Sequence, residues 1–180
     1  MDSSNGWDHI VPIDDIDRSR FKGFTCGLEQ FDTWLLQEGR TAVARGECQV
    51  HVCIDTAGLP VAFFTLSSTS INSDDLSGSS RGGIHGQVPA TLLGKLGVRS
   101  DLAGKGLGTR VLHHAMQFAL DASAKVSSRL LVVDARDDGL VSWYIERGFV
   151  QLPSGGLRLV CKMSKIKNIC NGMDVNYFTV

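Results

Sequence analysis

The 180-residue sequence has no paired cysteine motif, no long apolar run and no strong excess of either charge. Its five cysteines are odd in number, form no CxxC pair and match no zinc spacing, which favours free thiols in a reducing compartment and gives no metal site. No apolar run is long enough to cross a bilayer. Because the first residues lack a basic stretch followed by an apolar one, we expect no signal peptide, no membrane association and a soluble, cytoplasmic protein.

The net charge of −1 comes from two unlike halves of the chain. Residues 1–90 carry 6 Lys/Arg and 12 Asp/Glu, whereas residues 91–180 carry 12 and 7. A phosphate-rich cofactor or an RNA substrate could account for the basic second half, and so could chance scatter over a solvated surface. The charge therefore leaves nucleic-acid binding open.

Strand-like and helix-like apolar patterns follow one another along the chain, with an exposed loop predicted over 72–87. The predicted elements are, in order, strand 7–13, two helices within 28–45, strands 49–54, 61–66 and 91–98, a helix after Gly108, strand 130–133, helix 138–147, and strands 149–152 and 157–163. This order predicts one α/β domain over residues 1–164, with a mixed central sheet of about seven strands and flanking helices. Residues 165–180 show no clear period, and we interpret them as a loose tail.

A glycine-rich segment joins strand 91–98 to the long helix. Glycines let the backbone turn tightly and leave its N–H groups uncovered, and the first turn of a helix adds unpartnered N–H groups and a partial positive charge. Such a segment suits a pyrophosphate. The candidate cofactor-binding residues here are Arg99, Gly104, Lys105, Gly106, Leu107, Gly108 and Thr109.

Two common phosphate motifs do not fit this segment. A P-loop places its lysine after the last glycine, whereas Lys105 precedes Gly106. A Rossmann fingerprint has GxGxxG after the first strand of its unit, whereas the spacing here is GxGxG and comes late in the chain. The strand–glycine–helix context nevertheless favours an anion site over an ordinary turn.

The run from Val98-Arg99 through Ala103-Gly104-Lys105-Gly106 resembles the acetyl-CoA signature (Q/R)-x-x-G-x-(G/A) of the GNAT acyltransferases, although Ala103 replaces the usual Gln or Arg. The order of elements over residues 7–164 is similar to the GNAT fold. The resemblance implies an acetyl-CoA-dependent N-acetyltransferase without a metal. In the mechanism it implies, a backbone N–H near Leu96 to Val98 polarises the thioester, and strand 91–98 diverges from its neighbour to admit the pantetheine arm. The resemblance thus adds Leu96, Gly97 and Val98 to the candidate cofactor-binding residues.

A narrower resemblance is to the GNAT-type toxins of bacterial toxin–antitoxin pairs, which acetylate the amino group of aminoacyl-tRNA. It is carried by Phe24-Thr25-Cys26-Gly27, by Trp34-Leu35, by residues 61–67 and 93–98, and by Tyr144 with Gly148-Phe149. It implies that Tyr144 is the catalytic general acid and that aminoacyl-tRNA, a ribbon-helix-helix antitoxin and a second copy of the chain are candidate partners.

Other interpretations stay open at this point. Asp134 follows a strand and is assigned to the cofactor site, although it could instead cap the next helix. We expect His113 and His114 on the solvated face of the long helix and Trp34 and Trp143 in the core. The acceptor could also be a small-molecule or protein amine, and a silent acyl-CoA-binding module is a third alternative.

Overall fold

The computed structural model describes residues 7–173, and within them seven strands form one sheet in the order β1-β2-β3-β4-β5-β7-β6. The strands are β1 (His9–Pro12), β2 (Gln49–Ile54), β3 (Pro60–Asn72), β4 (Gln87–Val98), β5 (Leu130–Asp134), β6 (Val150–Gln151) and β7 (Arg158–Lys162). β4 and β5 are parallel, whereas the β1–β2, β2–β3, β5–β7 and β6–β7 pairs are antiparallel. The predicted mixed seven-stranded α/β fold is confirmed.

Six α-helices accompany the sheet in the described part of the chain. They are α1 (Glu29–Gln37), α2 (Gly39–Ala44), α3 (Gly78–Arg81), α4 (Leu107–Ser123), α5 (Asp138–Glu146) and α6 (Met163–Asn171). The apolar stripe predicted for α4 is buried, since Val111, Leu112, Ala115, Met116 and Ala119 have no exposed surface. The break predicted near Gly39 separates α1 from α2.

The described residues divide into two compact units, one made of 7–66 together with 95–114, and the other of 67–94 together with 115–173. The first unit has a core of aromatic and branched side chains, including Phe21, Phe24, Leu35, Val52 and Phe63. The second unit has its own core, which includes Val88, Leu130, Val132 and Val160. Each unit thus has a hydrophobic core to hold its share of the functional residues in place.

The predicted exposed loop over 72–87 is wrong in part, because this segment of the second unit is anchored. It contains the 3-10 helix Ser73–Asp75 and α3, and Ser73, Leu76 and Ser80 are buried. Arg129 holds it by donating hydrogen bonds from Nε to the Ser80 carbonyl at 2.7 Å and from a terminal nitrogen to the Ser79 carbonyl at 3.3 Å. The sequence hides these contacts because the partners are about fifty residues apart.

The prediction of a loose tail over 165–180 also differs from the structure where the structure describes it. α6 occupies residues 163–171 and buries Met163, Ile166 and Cys170, which recur at three- and four-residue spacing. The apolar stripe is only three residues long and is diluted by Lys and Asn, so its period is weak in the sequence. The rest of the predicted tail, from residue 174, lies outside the described residues.

Candidate functional site

The glycine segment lies between the end of β4 and the start of α4, as predicted. Up to Ala103 its backbone is tied down: Arg99 N–H donates to the Val61 carbonyl at 2.8 Å, and Ser100 N–H donates to the Thr25 carbonyl at 2.8 Å. From Gly104 to Gly108 no backbone N–H finds an acceptor among residues 7–173. The uncovered donors are therefore concentrated where the signature places a pyrophosphate.

Gly104 and Gly106 adopt backbone conformations that other residues rarely take, with φ of 76° and 80°. A Cβ built on either would meet nothing within 4 Å, so no atom of residues 7–173 covers this side of the segment. The segment needs glycine for its backbone conformation, and the same absence of side chains leaves the N–H groups accessible to a ligand. This geometry fits a bound pyrophosphate.

Two basic side chains flank the glycine segment, and both are oriented by Asp101. Arg99 donates from Nε to the Asp101 carboxylate at 2.7 Å, and Lys105 donates from Nζ to the Asp101 carbonyl at 3.3 Å. The Arg99 hydrogen bond holds the pKa of Asp101 below its usual value. The charges of Arg99 and Lys105 thus lie at the segment, although Arg99 is partly neutralised.

A turn that the sequence did not single out for function supports this segment. Asp32, on α1, accepts hydrogen bonds from the Thr25 hydroxyl at 2.5 Å and from the Cys26 N–H at 2.8 Å. Burial acts to raise the pKa of Asp32, but these hydrogen bonds lower it below the ordinary value, so the carboxylate stays ionised. The Thr25 carbonyl of this turn accepts a hydrogen bond from the Ser100 N–H, which ties the turn to the glycine segment.

Gly97 packs directly against this turn. A Cβ on Gly97 would lie 2.6 Å from Phe63 Cε1 and 3.0 Å from Cys26 Cβ, so no side chain fits there. The β4 stretch Leu96–Val98, which the sequence assigned to the cofactor, is therefore positioned by contact with residues 25–32. A signal for this existed in the sequence only as the Phe24-Thr25-Cys26-Gly27 run, because the closeness of Cys26 to Gly97 depends on the fold.

The pairing of β4 with β5 ends before β4 does. The last register pair is Leu93 with Val133, and β4 continues to Val98. At Lys95 the backbone N–H donates to the buried Thr65 hydroxyl at 2.9 Å. The final five residues of β4 thus extend beyond its register with β5.

Tyr144 lies in the second unit, on α5, with a buried ring and a hydroxyl that has no hydrogen-bond partner among residues 7–173. The ring makes edge contacts with Trp143 and Phe149, at centroid distances of 5.0 and 5.2 Å. The hydroxyl is not among the buried unpaired polar atoms, so it reaches accessible surface. Burial raises the pKa of Tyr144 to about 12, which keeps the phenol protonated at neutral pH.

Asp134, at the end of β5, pairs with a residue of β7. Arg158 donates from Nε and a terminal nitrogen to the two carboxylate oxygens, at 2.6 and 2.8 Å. The helix cap considered for Asp134 belongs to Asp137 instead, whose carboxylate accepts from the Leu140 N–H at 2.9 Å. The cofactor role of Asp134 stays a prediction, and its paired geometry resembles a structural clamp between neighbouring strands.

The expectation for His114 is wrong. Its side chain is buried, with 3% exposure, and packs edge-on to Trp7 at 5.2 Å between ring centroids. Burial lowers the pKa of His114 to about 4, with smaller contributions from Arg110 and His113. The residue falls on the edge of the α4 stripe, where the sequence pattern does not decide its side. Trp34 and Trp143 are half-buried rather than in the core.

The described residues hold no cluster of His, Cys, Asp and Glu side chains that could bind a metal ion. No helix within residues 7–173 has the length and apolar character needed to cross a membrane. Ten of the twelve predicted site residues lie in the first unit, from Leu96 to Thr109. Asp134 and Tyr144 lie in the second.

Comparison with known proteins gives a consistent family. A model of the acetyltransferase (GNAT) family matches residues 25–149. A tRNA-acetylating toxin of Mycobacterium tuberculosis is 28% identical over 141 residues, which cover 78% of this chain and 84% of the relative. A Sinorhizobium fredii protein named "Probable toxin TacT" is 25% identical over 171 residues, covering 89% and 93%. The structure of AtaT complexed with acetyl-methionyl-tRNAfMet matches with a TM-score of 0.79 at 22% identity, covering 89% and 98%.

Proposed function

Because the chain belongs to the acetyltransferase (GNAT) family, we propose that it transfers the acetyl group of acetyl-CoA to the α-amino group of aminoacyl-tRNA. The observation that carries the acetyl-CoA part is the glycine segment between β4 and α4, with its uncovered N–H groups at Gly104 to Gly108. The acceptor part rests on the relative named a tRNA-acetylating toxin, which aligns with 78% of this chain. In cells such an enzyme would block translation.

Different residues of the chain bind the cofactor and polarise its thioester in the proposed reaction. Acetyl-CoA supplies an activated acetyl thioester. The N–H groups of Gly104 to Gly108, with Lys105 and Arg99, hold the pyrophosphate. A backbone N–H of Leu96–Val98, in the stretch fixed by the packing of Gly97, donates to the thioester oxygen as negative charge develops there.

Tyr144 supplies the proton in this mechanism. The neutral amine forms a bond to the acetyl carbon, the carbon–sulfur bond breaks, and the Tyr144 hydroxyl protonates the departing thiolate. The acylated nitrogen releases its surplus proton to solvent, and the Tyr144 phenolate regains a proton from solvent. The Tyr144 phenol is protonated at neutral pH, as a general acid must be before it donates, and burial, which raises its pKa to about 12, makes it a weaker acid than an ordinary tyrosine. The amine of an aminoacyl ester has a lowered pKa and loses its extra proton to solvent, so no dedicated base is needed.

The partners follow from the same family resemblance and stay proposals. GNAT-type toxins act in pairs with an antitoxin, so we expect a ribbon-helix-helix antitoxin to bind this chain. A homodimer of the chain is also compatible with the proposed function. Action on tRNA would place the enzyme in the cytoplasm.

A free cationic amine is the second candidate acceptor, and one observation favours it. An open depression of about 620 Å³ in the first unit is lined by Glu29 and Glu38 together with Phe31 and Trp34. Carboxylates beside aromatic rings attract a cation. However, Lys95 already places its ammonium 4.1 Å from the Trp34 ring centroid in the same depression, which weakens the attraction for a second cation.

The test is acetyl transfer from radiolabelled acetyl-CoA to charged tRNA, with deacylated tRNA as the matched control. We expect label on the amino acid of charged tRNA and none on deacylated tRNA, which lacks the α-amine. The enzyme should also stop cell-free translation. Labelling of polyamines or peptides with charged tRNA untouched would transfer the assignment to the second candidate.

A further inference from the structure

A second basic site lies in the first unit, beside the start of the glycine segment. It is a cavity of about 270 Å³ whose charged lining consists of Arg20, Lys22, Arg99 and Asp101. Residues 23–25, 59–60 and 100 complete its walls. Three cations against one carboxylate give the lining an excess of positive charge, although the first ninety residues of the chain are acidic as a whole.

The three cations differ in the hydrogen bonds and ion pairs that they already form. Arg99 is bound to the Asp101 carboxylate and also donates to the Pro60 carbonyl at 3.3 Å. Arg20 donates one terminal nitrogen to the Ala57 carbonyl at 3.1 Å, which orients the guanidinium without neutralising it. Neither Arg20 nor Lys22 has a carboxylate partner among residues 7–173. Arg20 also interacts electrostatically with Asp17, so its charge is partly compensated. The two cations nevertheless line this cavity without an ion-paired carboxylate among residues 7–173.

The backbone joins this cavity to the glycine segment. Ser100 and Asp101 form one wall, and the Asp101 carbonyl accepts the hydrogen bond from Lys105 within the segment. The opposite wall is the turn at Thr25, whose carbonyl accepts from the Ser100 N–H. A ligand held by the glycine segment would thus lie close to the cavity along the chain.

We propose that this cavity is a second phosphate-binding site, in which Arg20 and Lys22 hold a phosphate group of a ligand bound to the same face. The inference rests on the proposed function, which supplies two sources of such a group: the ribose phosphate of coenzyme A and the backbone of the nucleic-acid acceptor. A guanidinium presents paired donors that match phosphate oxygens, and the ammonium of Lys22 adds a point charge beside it.

Phosphate fits these observations better than a carboxylate ligand. The several oxygens of a phosphate can accept from both cations at once, and the cavity has room for a phosphate with part of its sugar. Hydrogen bonds to charged groups are the stronger kind, so even a partly solvated site of this type contributes to affinity.

The variants that test the site are Lys22→Gln and Arg20→Gln, with Arg18→Gln as the control. Arg18 lies in the same 3-10 helix, Arg18–Phe21, carries the same charge as Arg20 and does not line the cavity. Lys22 makes no side-chain hydrogen bond among the described residues, so we expect Lys22→Gln to fold as the wild type does. Lys22→Gln therefore still tests the site if Arg20→Gln, which loses the Arg20–Ala57 hydrogen bond, is unstable. Thermal unfolding checks each variant.

Two measurements distinguish the sources of the phosphate. The first compares the Kd for coenzyme A with that for dephospho-coenzyme A, which lacks the ribose phosphate. If that phosphate occupies the cavity, each variant weakens coenzyme A about three- to tenfold and leaves dephospho-coenzyme A unchanged. The second measures KM for charged tRNA against salt. If the acceptor occupies the cavity, KM rises by a similar factor and the salt dependence falls by about one phosphate contact.

Either result, with Arg18→Gln matching the wild type, supports the site. If Lys22→Gln and Arg20→Gln match the control in both measurements, the proposal is overturned. The cofactor measurement needs no acetyl transfer, so it can be read even if charged tRNA proves not to be the acceptor. Failure of wild-type enzyme to acetylate charged tRNA would instead count against the proposed function alone.

Discussion

The glycine segment and the Tyr144 region of α5 differ in the chemical groups that they present to a ligand. The segment offers a ligand only backbone, with glycines whose missing side chains leave open space around Gly104 and Gly106. Tyr144 offers one hydroxyl, and its ring is enclosed by Trp143 and Phe149. Binding an anion requires exposed donors in a fixed row, whereas a general acid requires one atom held in place.

This contrast determines what a mutation can reveal in each region. In the glycine segment, any side chain changes both the backbone conformation and the space for the ligand. At Tyr144 the hydroxyl can be removed while the packed ring stays. We therefore expect changes in the segment to appear in cofactor affinity, and removal of the hydroxyl to appear in turnover.

Tyr144→Phe should have the largest effect. Loss of the proton donor should reduce the single-turnover rate of acetyl transfer by about 10²- to 10⁴-fold, the range for a positioned general acid. The Kd for acetyl-CoA should change little, since the proton is needed only as the thiolate departs. Thermal unfolding should also change little, because the hydroxyl has no partner within residues 7–173 and the ring contacts remain.

Two results would contradict this assignment. Wild-type turnover in Tyr144→Phe would remove the general-acid role. A fall in stability of about 1 kcal/mol or more with turnover nearly intact would show that the hydroxyl is a structural donor. Stopped-flow transfer and calorimetry on the same preparation distinguish the two.

Gly106→Asp should have the next largest effect, and it should appear in affinity. The substitution puts a carboxylate beside the N–H groups that would hold the pyrophosphate, at a position with φ of 80° that disfavours a side chain. We expect the Kd for acetyl-CoA, measured by titration calorimetry, to rise about tenfold or more. Transfer rates at saturating acetyl-CoA should fall much less than in Tyr144→Phe.

Gly46→Asp is the matched control for that variant. Gly46 has φ of 72° in the turn after α2, and a Cβ there also meets nothing within 4 Å. The two variants thus introduce the same backbone strain and the same charge, but only one lies at the predicted anion site. Equal acetyl-CoA affinity in Gly106→Asp and Gly46→Asp would sink the assignment of the glycine segment.

The same two regions also show how much of the candidate site could be predicted from the sequence. The glycine segment and the strand and helix on either side of it were predictable because local patterns determine them: alternation in β4, glycine punctuation, and the apolar stripe of α4. The general-acid role of Tyr144 stays a prediction, and it came only from the Tyr144 and Gly148-Phe149 pattern that resembles the GNAT-type toxins. Its enclosure by Trp143 and Phe149 could not be inferred from spacing alone.

What the sequence did not show are contacts between distant parts of the chain. The support of Gly97 by Cys26, the anchoring of α3 by Arg129 and the basic cavity of Arg20, Lys22 and Arg99 each join segments far apart in sequence. His114 shows the same limit within one helix, because its burial depends on Trp7 rather than on the α4 pattern. Periodicity predicts faces of elements and does not predict which faces meet.

The smallest expected effect concerns the proton of Tyr144 in the resting enzyme. Burial raises its pKa to about 12 from the ordinary value of 10.0, so the folded protein keeps the phenol neutral at a pH where the unfolded chain ionises it. At pH 10.5 about three-quarters of an ordinary tyrosine would be phenolate, whereas Tyr144 should be almost wholly protonated.

Phenolate absorbance of the wild type minus that of Tyr144→Phe measures this residue alone. The difference should stay near zero to pH 10.5 and rise near pH 12, and the stability that the neutral phenol contributes should be fully present below pH 10 and decline between pH 10 and 12. A difference spectrum that rises with an apparent pKa near 10 would show an open, solvated hydroxyl. In that case the ring packing seen around Tyr144 would not set its acidity, and the contrast with the open glycine segment would fail.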